Sequence, residues 1–181
     1  MKLICKSICH LVDAFFNLNC AAKPVFMDAM KLDFIKQKFV ALISQLPANA
    51  TGKWGKMNAQ QMVEHTTAFF KVSTGKLQFA LVTPEEHLPK YKEFLLSDKE
   101  FKENTKAPST VLGEDPLPLR CNDMPHAIEI LQNSIDEFIN YFAGDTTKKT
   151  LHPVFGELNF EEWVLLHYKH VVHHCKQFGM V

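Results

Sequence analysis

The chain has 181 residues, 46% of them hydrophobic and 22% charged, which suits one globular core and is too apolar for a disordered chain. Twenty basic and twenty acidic side chains cancel to a formal charge of zero, so the basic excess of a nucleic-acid-binding protein is missing. No uninterrupted apolar run approaches the roughly 18 residues that a membrane span needs, so the expectation is no membrane partner.

Residues 1–26 read unlike the rest and are expected to form an N-terminal extension or arm, with the domain covering 27–181. The apolar stretch there is broken by Lys6, Ser7, His10 and Asp13, which does not suit a secretory signal. Cys5, Cys9 and His10 have the residue types of a metal site, but their spacing matches no specific motif. Five cysteines, an odd number, without a convincing signal point to a reducing cytoplasm rather than a disulfide framework.

A first helix is expected from Asp28 to Leu46, where Met30, Phe34, Phe39 and Leu42 supply apolar spacing and Pro47 follows the end. Thr51-Gly52-Lys53 reads as a turn. A second helix runs from about Asn58 to Ser73, with Asn58, Gln61, Met62, His65, Phe69 and Val72 on one face and Gly75 as its stop. Lys76–Val82 is the only strand candidate, and a weak one. The polar, proline-rich stretch from Thr83 to Arg120 is expected to hold a short helix near Glu85–Phe94 and then a long connection over the surface, with the charges from Lys90 to Lys106 solvated. A third helix spans about Met124 to Phe142, directing Ile128, Leu131, Ile135, Phe138 and Ile139 inward. The last helix opens at Asn159, an N-cap residue before Glu161 and Glu162, and stops at Gly179. The fold class that follows is all-α, a four-helix bundle with a long crossover between its second and third helices.

Nine histidines are present, and four of them, His167, His170, His173 and His174, fall in the last fifteen residues. Phe160, Trp163, His167, His170, His174 and Gln177 follow one another at steps of three and four, a single stripe of a helix. His170 and His174, at i and i+4, stand one above the other and can share an ion. His173 is turned about 100° away from His174. His167 lies one turn before His170 and two before His174. A third ligand must come from another helix, and His65 is the best placed, with Gln61 and Asn58 one and two turns before it. A lone histidine on an apolar face is usually a core residue with one hydrogen-bond partner. Several stacked imidazoles instead need many partners in a dry core, or repel if charged, and a metal resolves both costs. There is no His-Glu-x-x-His, Glu-x-x-His, Cys-x-x-Cys, Gly-x-Ser-x-Gly or phosphate-cradling loop.

The segment from Trp54 through Gly55, Asn58 and Gln61 to His65 resembles the start of the second helix in the DinB/YfiT-like superfamily. The ending His170-x-x-x-His174-x-x-Gln177 resembles that superfamily's signature on its last helix. His152-Pro153-Val154-Phe155-Gly156, followed by Trp163, resembles a bacterial branch with an HPxFG motif and no assigned reaction. The resemblance covers roughly residues 28–180. It implies a DinB-like four-helix bundle with a divalent metal at one end, held by His65, His170 and His174. Among characterised relatives it implies thiol-cofactor-dependent transferases and isomerases, in which the metal activates a low-molecular-weight thiol.

The expectation is therefore a divalent-metal-dependent enzyme, a thiol-dependent transferase or a hydrolase acting on a small-molecule substrate. The cofactors expected are zinc or nickel before iron or manganese, and a low-molecular-weight thiol. Three protein ligands leave a tetrahedral ion one position short. Gln177 could orient a ligand from behind, as could Gln61 and Asn58 unless they are ordinary helix-end amides. His152 is expected to be a turn residue before it is an entrance residue, and Trp54 and Trp163 to be core or pocket wall. Glu64 points about 100° away from His65 and is expected to be solvated. The alternative is a non-catalytic helical domain whose metal is structural or whose surface binds a partner, its fourth position closed by His167 or a carboxylate. A homodimer through the bundle faces is left open.

Overall fold

The computed structural model describes residues 25–109, 111–113 and 115–181. The expected arm, with Cys5, Cys9 and His10, lies almost wholly outside the described residues.

Among the described residues, four longer helical segments account for most of the helical structure. The first is α1, Val25–Asp33, running without a break into a π-helical stretch, Phe34–Phe39, and then α2, Val40–Ile43. The backbone at both joins stays in the right-handed helical region, so this is one helix with a widened middle. Its described part begins at Val25, three residues before the apolar pattern suggests, and it ends three residues earlier. Ile35, Phe39 and Ile43 are its buried residues in the π-helical stretch and α2.

The second segment is α3, Ala59–Ser73. Its N-cap Asn58 accepts from the Gln61 backbone N–H at 2.8 Å, while the Gln61 side chain accepts from the Asn58 N–H at 3.0 Å. Asn58 and Gln61 form this reciprocal capping box, and Gln61 Nε2 also donates to Leu117 O at 3.3 Å; among the described residues no hydrogen bond joins either to a histidine. The third segment, α5, Met124–Phe142, has the bounds its apolar period predicts. Asp123 caps it by accepting from His126 N–H at 2.9 Å, and Pro125 sits in its first turn. The fourth is α6, Phe160–Gln177, with a second capping box between Asn159 and Glu162. Gly179, at φ +68°, ends it, and Met180 N–H reaches back to Cys175 O at 2.8 Å.

The core between them is aromatic and branched: Trp163, Phe39, Phe70, Phe138, Phe142, Ile35, Ile43, Met62, Leu131 and Ile135 are all fully enclosed. No helix among the described residues is long and apolar enough to cross a membrane. Cys121 and Cys175 are free thiols, and burial pushes Cys175 up to about 12.

The crossover from α3 to α5 carries a short 3-10 turn, Glu85–His87, leading into α4, Leu88–Leu96, close to the expected helix. The strand candidate Lys76–Val82 has no regular structure. Strands form elsewhere: β1, Thr150–His152, and β2, Gly156–Leu158, pair antiparallel with Thr150 opposite Leu158 and His152 opposite Gly156. The fold is thus mostly helical with a two-stranded hairpin rather than purely α. Three residues per strand are too few for a period-2 signal to stand out in the sequence. The hairpin is held by a side chain. His152 Nδ1 accepts from the Val154 and Phe155 N–H groups at 3.0 and 3.1 Å, and Gly156 takes the left-handed conformation at φ +73°.

Candidate metal centre

α3 and α6 bring three imidazoles together. His65 Nε2 lies 3.0 Å from His170 Nε2, and His174 Nε2 lies 3.1 Å from the same atom. Two nitrogens bound at 2.0–2.1 Å to a tetrahedral ion would sit about 3.3 Å apart. The spacing observed is therefore close to that of a shared cation. His65, His170 and His174 could hold a metal ion, and no fourth histidine, cysteine or carboxylate joins the group among the described residues.

The proton inventory decides how well the site suits a cation. Gln177 Nε2 donates to Trp54 O at 2.7 Å, which fixes the amide so that its Oε1 faces His174 Nδ1 at 2.8 Å. His174 must then carry its proton on Nδ1 and present a bare lone pair at Nε2. That lone pair and the Nε2 of His65 both face His170 Nε2, which can supply one proton at most. A cation would use all three lone pairs together. Burial keeps the rings uncharged. It pulls His65 down to about 4, helped by the neighbouring His173, and His174 down to about 3, with His65 adding to the effect and Gln177 opposing it. His170 lies well below its usual value for the same reason, with His174 and His65 as the next causes. Its Nδ1 is buried without a hydrogen-bond partner among the described residues, the ring lying 4.3 Å from that of Phe69.

Gln177 is clamped from the far side. Lys53 N–H donates to Gln177 O at 2.7 Å, so the 52–55 turn wraps the end of α6. Gly55 has φ +81°, and a β-carbon there would meet Gln177 Nε2 at 2.6 Å; one on Gly52 would meet Gln177 Cγ at 2.8 Å. Both glycines are needed for close approach, which sequence reading missed because a turn glycine has no partner until the fold supplies one.

The remaining candidates separate cleanly. His167 is fully buried, stacked on Phe70 at 3.8 Å and near Trp163 at 5.4 Å, and neither of its ring nitrogens has a hydrogen-bond partner among the described residues. It is not part of the cluster. Trp163 is core, its indole N–H donating to Thr150 Oγ1 at 2.8 Å. His152 is the hairpin residue, held down to about 3 by burial. Glu64 is half-buried rather than fully solvated. Its carboxylate accepts from Arg120 N–H at 2.8 Å and Cys121 N–H at 3.1 Å, fastening the end of the crossover to α3.

A protein family matches the second half of this architecture. The family described as "Protein of unknown function (DUF1569)" matches residues 91–180. That stretch carries α5, the hairpin and α6, hence His170, His174 and Gln177, and leaves His65 and the glycine turn outside. No curated protein matches the chain.

Proposed function

We propose that His65, His170 and His174 bind one divalent cation, zinc or nickel, through their Nε2 atoms, and that the protein is a metal-dependent hydrolase or thiol-dependent transferase of small molecules. The observation that carries this reading is the convergence of three Nε2 atoms while the Nδ1 proton of His174 is committed to Gln177. When bound, such an ion lowers the pKa of a coordinated water or thiol and polarises a carbonyl. This chain's residues hold the ion, orient one ligand through Gln177, and keep the imidazoles neutral by burial. With the cluster stopping at three residues among those described, a tetrahedral ion keeps one position for water, thiol or substrate, which supports an enzyme over a structural metal.

The resemblance to DinB/YfiT-like bundles supports the same reading. With it go a cytoplasmic location, a small-molecule rather than nucleic-acid or membrane partner, and a homodimer through the bundle faces. The test is elemental analysis of protein purified without chelator or nickel resin, followed by screening with small thiols, esters and thioesters. One metal per chain is expected, falling to none in His65→Ala, His170→Ala and His174→Ala. Unchanged metal content and melting temperature in those variants would refute ligation. Turnover that tracks metal content supports the enzyme; a metal that raises the melting temperature without turnover or thiol binding supports the structural alternative.

A further inference from the structure

We propose that the open cleft between the 53–54 turn and the 100–103 stretch of the crossover binds an uncharged, planar small molecule beside the metal centre; only the link to the metal rests on the function proposed above. The cleft has a volume of about 400 Å³, within the size range of small-molecule sites. Its apolar walls are rings. Trp54 stands edge-to-face with His173 at 5.9 Å, and Phe101 stands edge-to-face with the same imidazole from another direction at 6.1 Å. An aromatic ligand fits such walls, because ring faces and edges attract one another in offset or perpendicular pairs. The Trp54 indole N–H is buried without a hydrogen-bond partner among the described residues, a donor left unmet in the wall.

The rim sets the charge of the ligand. Lys53 and Lys176 are matched by Glu100 and Glu103, and Lys176 and Glu100 already pair with each other. Val181 also lines the cleft; the four side-chain charges of the rim cancel, so these side chains set up no net field to draw in a strongly charged molecule.

Both walls are fixed before anything binds. The Trp54 side is held by Gln177 through Trp54 O and Lys53 N–H. The Phe101 side is stapled along α6 by residues one position before the ligand stripe. Lys169 donates to Ser97 O at 2.6 Å and to Lys99 O, and Lys176 pairs with Glu100. A preformed cleft loses little ordering entropy when filled. His173 is the wall residue nearest the centre, its ring 5.4 Å from that of His174, while His65, His170 and His174 do not themselves line the cleft.

The test is equilibrium dialysis of three isosteric probes, 4-nitrobenzyl alcohol, 4-nitrobenzoate and 4-nitrobenzylammonium, against the full chain with and without zinc. The expected result is one saturable site that prefers the alcohol. Binding should weaken about two- to tenfold in Trp54→Ala and in Phe101→Ala, and should be unchanged in Leu119→Ala, an exposed leucine outside the cleft. No saturable binding, equal binding of all three probes, or indifference to both aromatic substitutions overturns the cleft assignment. The link to the metal has its own readout. With zinc bound, 4-nitrobenzohydroxamic acid, which carries the same ring and a chelating head, should bind at least tenfold tighter than the alcohol and lose that advantage in His65→Ala. Equal affinity overturns the link. Zinc stoichiometry on the same samples separates the two failures: probe binding without zinc uptake sinks the metal reading alone, and zinc uptake without probe binding sinks the cleft alone.

Discussion

The position a β-carbon on Gly55 would take lies 2.6 Å from the side-chain nitrogen of Gln177. That nitrogen is already bonded to Trp54 O, and the other end of the same amide is bonded to His174. A turn in the chain's first third therefore sets which nitrogen of an imidazole on the last helix carries the proton.

Gly55→Ala tests that relationship. The substitution forces Gln177 aside and strains a backbone at φ +81°, at about 1–2 kcal/mol. All three imidazoles remain, yet zinc affinity, measured by competition with a chromophoric chelator, is expected to fall roughly ten- to a hundredfold. Unaltered affinity would show that His174 needs no orienting partner.

His167→Phe should stabilise the protein or leave it unchanged. Both ring nitrogens of His167 are buried against Phe70 and Trp163, without partners among the described residues. A buried polar group left unpaired costs about 1–3 kcal/mol, and phenylalanine has nearly the same planar shape. Urea unfolding midpoints would read the effect. A large destabilisation, or loss of zinc, would show that the imidazole has a partner after all.

Glu64→Ala should loosen the end of the crossover. Its carboxylate serves two backbone N–H groups, at Arg120 and Cys121, and the expected loss is about 1–2 kcal/mol. Hydrogen exchange at those two amides should accelerate while zinc stoichiometry holds. A stability change within about 0.5 kcal/mol would mean that water replaces the carboxylate.

Stability should fall as the solution is acidified from about pH 6.5. Burial depresses His152 and His174 to about 3 and His65 to about 4, against an ordinary value of 6.5. Below that value the unfolded chain takes up protons that the folded one refuses, so the folded state is favoured less with each step down toward pH 3–4. Above about pH 6.5 the contribution of these groups is complete and the profile flattens. Urea midpoints at pH 7.5, 5.5 and 4.5 on metal-free protein would show this directly, and a flat profile would mean that the rings are solvated. Bound metal should steepen the acid limb, because protons compete for the same lone pairs.

Local sequence determined the helices. The bounds of α5 follow from apolar spacing between Asp123 and Gly144, and α3 and α6 begin at asparagines whose capping boxes involve residues only three positions apart. The convergence of His170 and His174 was equally local, since i and i+4 on one helix are neighbours wherever that helix lies. The tertiary structure decided everything that joins distant segments. It brought His65 to within 3.0 Å of His170, set Gly55 against Gln177, turned Glu64 onto the Arg120–Cys121 backbone, and buried His167 among rings rather than in the cluster. It also made a hairpin of the His152–Gly156 stretch, through a ring nitrogen that accepts two backbone N–H groups. The physical reason is one of range. Helix period and capping are interactions between residues a turn apart, written into the order of the side chains. The partner of an imidazole, an amide or a glycine is whatever the packing of the bundle places beside it.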